Sequence, residues 1–511
     1  MTNSGARKWW TVSALVLATL AVGFDVTILS LALPALATDL HASTAELQWF
    51  VSAYTLVFAA GMIPAGMLGD RYGRKRLMLI ALVIFGLSSL AAAYAPSSGA
   101  FIAARAVLGL GAAILLPMNL ALLPVLFPEE ERRKAIAAVA GAALLAYPIG
   151  PILGGWLLNH FWWGSVFLIN VPVVILGILA VAAWLPETRA ERPRRLDLPG
   201  VLISSAGLAV LTYGVIEAGQ NGWGDLAVTT SIAAGFVALA VFVAWERRTA
   251  EPLVDLALFR SAGFTAGTTL GIVINFTMFG VLFAMPQYFQ GILGTDAMGS
   301  GIRLLPLVAG LIVGVSVADR LARALGAKAA AGIGFALLAG GLFAGATTGV
   351  ASGTGLAAAW FAVYGLGLGL ALPTAMDAAL GALPKDGEGV GSAVNQSLRT
   401  VGGSFGAAIL GSVLNSAYQG RLDLTGLPAG AAHAARDSVF GGLSVARALR
   451  SSSLADAVRA AFVHGLDVIL VACGVLGVLG MVLAVLWLPR RAATVGQGER
   501  EPAESEHGAA V

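Results

Sequence analysis

The sequence predicts an all-α polytopic membrane protein, and two observations carry that prediction. First, 58% of the 511 residues are hydrophobic and 12% are charged, whereas a soluble globular protein carries about 25% charged residues. Second, apolar runs of about 20 residues, the length at which a helix crosses the hydrocarbon core, recur along most of the chain. Helices satisfy their own backbone hydrogen bonds in lipid, so runs of this length favour a bundle of transmembrane helices.

The apolar runs define fourteen predicted spans, interrupted by two charged linkers. The predicted spans are 9–34, 47–67, 77–95, 99–126, 135–158, 165–186, 199–219, 226–245, 263–289, 300–318, 329–349, 356–380, 389–415 and 462–488. The predicted organisation is a cytoplasmic N-terminus (1–8), a six-helix bundle (9–186), linkers with two extra spans (187–262), a second six-helix bundle (263–488) with a long outer loop (416–461), and a disordered cytoplasmic tail (489–511).

The distribution of basic residues predicts the orientation. Most of the 31 lysines and arginines fall in alternate loops, which is typical of cytoplasmic segments. Those from Arg421 to Arg459 share the one long loop that this alternation places outside. The pattern requires an even number of spans and predicts that both termini are cytoplasmic. The net charge is only +3, and its carriers lie next to the membrane, so we expect no nucleic-acid partner.

A basic, glycine-rich turn separates spans 2 and 3 at residues 66–76. Its arginines and lysine can donate to carboxylates or to the carbonyl ends of helices, so the turn either anchors the topology or latches two groups of helices. Its order, G-x-L-x-D-R-x-G-R-K, resembles the signature of the major facilitator superfamily between its second and third spans. The resemblance implies an inner-gate loop that contains Gly66, Asp70, Arg71, Gly73, Arg74 and Lys75.

Two charged residues lie inside predicted spans of the N-terminal half. An acid near the membrane centre costs roughly 2.5–3.5 kcal/mol on insertion scales, so Asp25 in span 1 is either paired for structure or functional. Arg105 in span 4 needs a carboxylate or carbonyl partner, and Asp25 is one candidate. Gly109 shares the face of Arg105, which lets a neighbouring helix approach. Both segments resemble motifs of the fourteen-span drug:proton antiporters within the superfamily.

Span 5 carries a small-residue face and two prolines. Residues 138, 142, 146, 150 and 154 are alanine or glycine, and such a face permits close helix packing. Pro148 and Pro151 remove backbone donors and loosen the helix. The order of residues 150–155 resembles motif C of antiporters, with Ala146 in place of the usual leading glycine. The resemblance implies gating, with tight packing alone as the alternative, for the set Ala146, Gly150, Pro151, Gly154 and Gly155.

The C-terminal half contains a degenerate copy of the basic turn and a few polar residues within its spans. Gly314, Asp319, Arg320, Gly326 and Lys328 follow span 10 much as the basic turn follows span 2, which is typical of parallel transporter repeats. Three polar residues of spans 12 and 13 join Asp25 and Arg105 as candidates for the proton-coupling and substrate cavity: Asp377, Asn395 and Arg399. Asp377 is either a cavity acid or an anchor at the end of its helix.

The sequence favours no cofactor, no metal and no enzyme. The five histidines are scattered, no G-x-x-x-x-G-K loop for ATP occurs, and no catalytic constellation stands in a suitable context. The single cysteine, Cys473, excludes a disulfide within the chain. The partners expected are therefore small lipophilic substrates, protons and membrane lipid, with the protein acting as a monomer.

These resemblances imply the major facilitator fold, with two six-helix bundles plus two extra central spans, in a bacterial plasma membrane. They imply proton-coupled export of lipophilic, often cationic, drugs or antibiotics, powered by the proton gradient. Asp25 would take up a proton from outside and lose it to the cytoplasm, leaving a carboxylate that favours a cationic substrate. The alternatives are a dedicated exporter of one endogenous metabolite, as in self-resistance, and a membrane sensor that does not transport.

Overall fold

The computed structural model describes residues 3–127, 129–189, 196–350, 352–383 and 388–488, and in these residues it contains helices and connecting turns but no strand. The predicted tail at 489–511 lies outside the described residues. Thirteen of the described helices are long and apolar enough to cross a membrane. A further helix, Glu388–Arg421, coincides with predicted span 13. The all-α fold with fourteen spans is thereby confirmed.

The N-terminal bundle contains six spans. Its helices are Asn3–Asp39 (α1), Thr44–Tyr72 (α2), Arg74–Ala93 (α3), Ser98–Leu126 (α4), Glu129–His160 (α5), Ser165–Leu168 (α6) and Asn170–Trp184 (α7). Helices α6 and α7 together form one span, Ser165–Trp184. A capping box fixes the start of α2, because the Ser43 side chain accepts from the Glu46 backbone while Glu46 accepts from Ser43.

Two extra spans and a second bundle follow. The extra spans are Leu198–Asn221 (α8) and Leu226–Glu246 (α9), and a 3-10 turn at Leu256–Arg260 precedes the second bundle. The helices of that bundle and its outer segment are Ala262–Gln287 (α10, extended by a π turn at Tyr288–Ile292), Ala297–Leu325 (α11), Ala327–Gly345 (α12), Thr354–Leu380 (α13), Glu388–Arg421 (α14), Ala429–Asp437 (α15), Val439–Ala448 (α16) and Ser452–Trp487 (α17).

The two bundles repeat the same packing. Helix α1 packs on α5 and α7 as α10 packs on α14 and α17, α2 packs on α4 as α11 packs on α13, and α3 packs on α7 as α12 packs on α17. The turns after α2 and α11 also match. Gly73 (φ +111°) and Gly326 (φ +88°) adopt left-handed backbone conformations that glycine tolerates. Two residues after each glycine, Lys75 and Lys328 donate to the carbonyl ends of the last helix of their own bundle.

The outer segment differs from the predicted loop at 416–461. Helix α14 continues to Arg421 and α17 begins at Ser452, so the connection is shorter than predicted and contains two helices. Residues Val439, Phe440 and Leu443 of α16 are buried in the core. Polar groups at the helix ends made this segment look like a loop, but apolar burial of α16 against α1 and α17 holds it in place.

We call the end of the molecule where α1 finishes and α2 begins the outer end. At this end, hydrogen bonds connect the first bundle to the second bundle and to its outer segment. The Asn159 amide of α5 donates to the Asp296 carboxylate at 2.6 Å, the Gln290 amide donates to the Leu31 carbonyl at 3.1 Å, and the Thr44 hydroxyl donates to the Asp437 carbonyl at 2.7 Å. The outer end is therefore closed in this conformation.

The extra spans attach at the seam between the bundles. Helix α8 packs on α2 of the first bundle and on α14 of the second. Ser412 donates to the Val215 carbonyl at 2.7 Å, and Asn415 donates to the Gly219 carbonyl at 2.7 Å. Helix α9 packs on α8 and exposes most of its apolar surface.

Candidate functional site

A buried ion pair lies inside the N-terminal bundle. One terminal nitrogen of Arg105 on α4 donates to both carboxylate oxygens of Asp25 on α1, at 2.7 and 2.6 Å. Both side chains are at most 1% exposed. The structure thus brings together the two charged residues that the sequence places inside N-terminal spans.

Helix α2 supplies the remaining partners of Arg105. The Arg105 Nε donates to the Phe50 carbonyl at 2.9 Å. The Arg105 guanidinium lies 4.5 Å from the centre of the Tyr54 ring, a cation–π geometry. Helix α4 approaches this closely because a Cβ at Gly109 would overlap the Tyr54 carbonyl oxygen. Gly109 therefore allows the approach that its spacing predicts.

This arrangement can respond to a proton. Removing one partner of a buried ion pair leaves an uncompensated charge, which costs about 3–5 kcal/mol. Protonation of Asp25 has a similar local consequence, because it removes the negative charge and leaves the Arg105 cation with a neutral partner. The Asp25–Arg105 pair lies at the junction of α1, α2 and α4, so a change in its charge would act on all three helices.

A narrow apolar cleft adjoins the pair and extends to the second bundle. Helices α1, α2 and α4 form one wall and α10 forms the other. The residues that line it include Val26, Ser30, Tyr54, Arg105, Phe279 and Phe283. The cleft therefore lies between the bundles, with the Arg105 side of the ion pair in its wall.

The three predicted cavity residues of the C-terminal half occupy different places. The buried Asn395 amide donates to the Thr268 hydroxyl of α10 at 2.8 Å, a bond within the bundle. Asp377 is exposed near the inner end of α13, with Asp319 of α11 as an electrostatic neighbour. It is not brought to Asp25. Arg399 is 7% exposed, and a Cβ at Gly271 of α10 would contact its side chain.

The inner-gate loop is tied to its own bundle. Asp70 and Arg74 form an ion pair at 2.8 Å. The Glu187 carboxylate, just after α7, accepts from the backbone nitrogens of Lys75 at 3.1 Å and Arg76 at 3.3 Å. These hydrogen bonds hold the α2–α3 turn against the end of α7. A latch to the other bundle in another conformation stays a prediction.

Three other residues of the loop have simple surroundings. Gly66 faces open space, Gly73 ends α2 and leaves no room for a Cβ beside Glu187, and the guanidinium of Arg71 lies 5.5 Å from the Tyr72 ring centre. None of these contacts by itself indicates gating.

The Gly-Pro-x-x-Gly-Gly segment of α5 packs on two partners. Towards α1, Ala146 faces Gly23, Gly150 faces Thr27 and Gly154 faces Ile28, each with no room for a larger group at the glycine. The other face of the segment packs on α11. A Cβ at Gly155 would lie 2.7 Å from the Met298 Cα, and Gly301 of α11 packs on the Pro151 carbonyl. One segment therefore joins α1 within its bundle and α11 across the outer interface.

Sequence reasoning passed over three residues near these features. Glu187 follows predicted span 6 and looked like part of a linker. Tyr147 on α5 is an electrostatic neighbour of Arg399, and its place within a small-residue stripe hid it. Asp467 lies inside α17 with one carboxylate oxygen buried and without a hydrogen-bond partner among the described residues. An acid within an apolar run is a signal that could have identified Asp467.

Comparisons with known proteins agree with this architecture. Residues 15–407 match the family model of the Major Facilitator Superfamily. The tetracenomycin C resistance and export protein of Streptomyces glaucescens is 36% identical over 80% of this chain and 76% of its own length. The multidrug efflux pump LfrA of Mycolicibacterium smegmatis is 32% identical over 91% and 93%.

A solved structure shares the fold at low sequence identity. The inward-facing, unoccupied structure of a bacterial homolog to the human lysosomal transporter Spinster superposes with a TM-score of 0.68 at 16% identity, covering 94% of this chain and 96% of that one. The family match and the helical architecture show that the chain belongs to the Major Facilitator Superfamily and is a multi-pass membrane transporter, not an enzyme.

Proposed function

We propose that this protein exports lipophilic small molecules from a bacterial cell in exchange for protons, with both termini in the cytoplasm. The observation that carries the proposal is the buried Asp25–Arg105 pair, whose negative partner can be neutralised by one proton. The names of the related proteins, which include a resistance and export protein and a multidrug efflux pump, support the direction of transport. In this proposal the proton gradient supplies the energy for export, and no cofactor is required.

In this mechanism the proton and the conformational change are linked through Arg105. A proton that reaches Asp25 from outside weakens the pair and frees Arg105 to change partners. When the proton leaves towards the cytoplasm, the pair re-forms. A substrate that binds one arrangement better than the other shifts the equilibrium between them by its difference in affinity. The α5–α11 contact, which is tight but built from small residues, is the part of the outer interface that opens and closes.

The charge of the substrate is a separate part of the proposal. A lipophilic cation would bind the Asp25 carboxylate after Arg105 has moved away, since Arg105 holds both oxygens in this conformation. Export of cations therefore requires the pair to open first.

Two alternatives lead to different measurements. A dedicated exporter would protect cells against one chemical scaffold, whereas a multidrug exporter would protect against several. The name of the Streptomyces glaucescens relative refers to a single antibiotic. For this reason the dedicated exporter is kept as an alternative. A sensor without transport activity would give no flux in purified vesicles.

The test is efflux driven by a pH gradient from vesicles that contain the purified protein. Fluorescent lipophilic compounds, ethidium among them, would be followed for the wild type, Asp25→Asn and Asp39→Asn. Asp39 is a matched control because it lies on the same helix but is exposed. We expect Asp25→Asn to lose gradient-driven efflux and Asp39→Asn to keep it. Normal gradient-driven efflux by Asp25→Asn would exclude Asp25 as the proton carrier.

A further inference from the structure

The charges buried in the centre of the molecule do not balance. Among the described residues, five charged side chains are buried: Asp25, Arg105, Asp197, Glu246 and Arg399. The first two neutralise each other. Asp197 and Glu246 lie at the ends of the extra spans α8 and α9, where they cap backbone groups. Arg399 remains as a buried cation without a carboxylate partner among the described residues.

The hydrogen bonds of Arg399 are incomplete. Its Nε has no hydrogen-bond partner in the described structure, and the hydrogen bond from its Nη1 to the Gln396 side chain is long at 3.5 Å. The aliphatic part of the side chain packs on Gly271 of α10. A buried guanidinium in this state is costly, because donors removed from water need replacement acceptors. An acceptor supplied from outside the chain would remove that cost.

Arg399 belongs to a helix at the interface between the bundles. Tyr147, its electrostatic neighbour, belongs to α5 of the first bundle, whereas Arg399 belongs to α14 of the second. Helix α5 packs on α1, α4 and α11, and α14 packs on α2, α8, α10 and α17. Helix α14 therefore contacts both bundles, through α2 in the first and through α10 and α17 in the second.

The apolar cleft lies along the same face of α10. Phe279 lines the cleft and also packs on Gly403 of α14. Gly271, which contacts Arg399, precedes Phe279 by two helical turns, or about 12 Å along the helix axis. An apolar ring system in the cleft could therefore extend a short chain to the Arg399 guanidinium.

We propose that Arg399 binds a carboxylate or similarly acidic group of a lipophilic substrate whose apolar body occupies the cleft at Phe279. The inference rests on the proposed export function and assigns its substrate class. In the closed outer conformation Asp25 is already paired, so Arg399 is the described buried charge of the two bundles that is left for a substrate. Lipophilic acids are then the preferred substrates over lipophilic cations.

The test is equilibrium binding to the full-length protein in detergent, which requires no proton coupling. Three probes share one ring system: 1-pyrenebutyrate, its uncharged methyl ester and 1-pyrenebutylammonium. We expect the wild type to bind the carboxylate most tightly. Hydrogen bonds to charged groups contribute about 1.5–3 kcal/mol, so Arg399→Gln should weaken carboxylate binding by about tenfold or more and leave ester binding unchanged. Arg399→Lys should restore part of the affinity.

Controls separate binding from folding and from coupling. Arg303→Gln removes another arginine within a span, one that bonds to the Gly299 carbonyl near the outer end, and should leave all three affinities unchanged. Thermal unfolding and gel filtration identify variants that fail to fold. Failure of proton coupling would appear only in the vesicle assay, with the binding preference intact.

Four results would overturn the inference. They are equal binding of the carboxylate and ester by the wild type, preference for the ammonium probe, no binding of pyrenebutyrate, and an equal loss of affinity for all three probes in folded Arg399→Gln. The last would assign Arg399 a structural role.

Discussion

At the scale of single residues, the Asp25–Arg105 pair combines a stabilising contact with a site that a proton can alter. Two charges taken out of water are costly individually and are compensated here by each other, by the Phe50 carbonyl and by the Tyr54 ring. This makes the two partners unequal under mutation. Loss of Arg105 leaves a buried carboxylate, whereas neutralising Asp25 leaves a cation that still has a carbonyl and an aromatic ring.

We therefore predict that Arg105→Leu is the more destabilising change. It should lower the free energy of unfolding by about 3–5 kcal/mol, the cost of an uncompensated buried charge. Adding Asp25→Asn to Arg105→Leu should restore much of that stability without restoring gradient-driven efflux. Denaturant unfolding in detergent measures the first effect and vesicle efflux the second. A double variant no more stable than Arg105→Leu would contradict this account.

The sequence identifies these two residues because a charge within an apolar run is conspicuous. It does not identify the geometry, since the Phe50 carbonyl reaches Arg105 only because Gly109 lets α2 and α4 approach. The same criterion applies to Asp467, which was overlooked, and to Asp377, whose position at the exposed end of α13 depends on where its helix ends.

At the scale of helices, the two faces of α5 have different tasks. Gly150 packs on Thr27 within the bundle, and Gly155 packs on the backbone of Met298 across the outer interface. Bulk at the first position disturbs the bundle itself. Bulk at the second position meets a backbone that cannot give way locally, so the bundles must separate.

Two substitutions of the same size test this difference. Gly150→Val should reduce the thermal stability of the protein, while Gly155→Val should keep the bundles folded and favour the open outer end. An Asp296→Cys reporter should then react about tenfold faster with a membrane-impermeant maleimide when Gly155→Val is present. This factor corresponds to a loss of roughly 1.4 kcal/mol from the free energy that favours the closed outer end. Cys473 is buried, so labelling of the protein without Asp296→Cys gives the background reaction. Unchanged labelling would argue against a gate at α5–α11.

The spacing of small residues predicts that one face of α5, the face that packs on α1, is closely packed, because a four-residue period defines one side of a helix. It cannot identify α11 as the partner of the other face. The outer loop was expected to contain at most a short surface helix, and the two helices α15 and α16 were not predicted for a related reason. Short helices with exposed polar ends resemble loops, and their place over the outer end depends on contacts with helices distant in sequence, such as the bond from Thr44 to Asp437.

At the scale of the whole molecule, the closed outer end predicts that transport requires the two bundles to part there. The Asn159 and Asp296 side chains meet at 2.6 Å from opposite bundles. Cross-linking Asn159→Cys to Asp296→Cys should abolish efflux from vesicles, and a reducing agent should restore it. The wild type, with only buried Cys473, should be unaffected by the same treatment. Full transport by the cross-linked protein would exclude alternating access through this end.

The fold class and the repeated bundles were predictable because they follow from apolar length, basic loops and the duplicated turn. The matching bonds of Lys75 and Lys328 to the ends of α7 and α17 explain why a degenerate copy of the turn still folds in the same way. The conformation was not predictable, since it depends on contacts between helices distant in sequence, such as the bond from Asn159 to Asp296.

The attachment of α8 makes the two sides of the transporter unequal towards the lipid. On one side, α8 spans the seam between α2 and α14 and is bonded to α14 through Ser412 and Asn415, with α9 outside it. On the other side, α5 and α11 meet directly. A compound dissolved in the bilayer therefore meets a covered flank at α8 and α9 and an uncovered flank at α5 and α11, which gives the protein a direction within the plane of the membrane as well as across it.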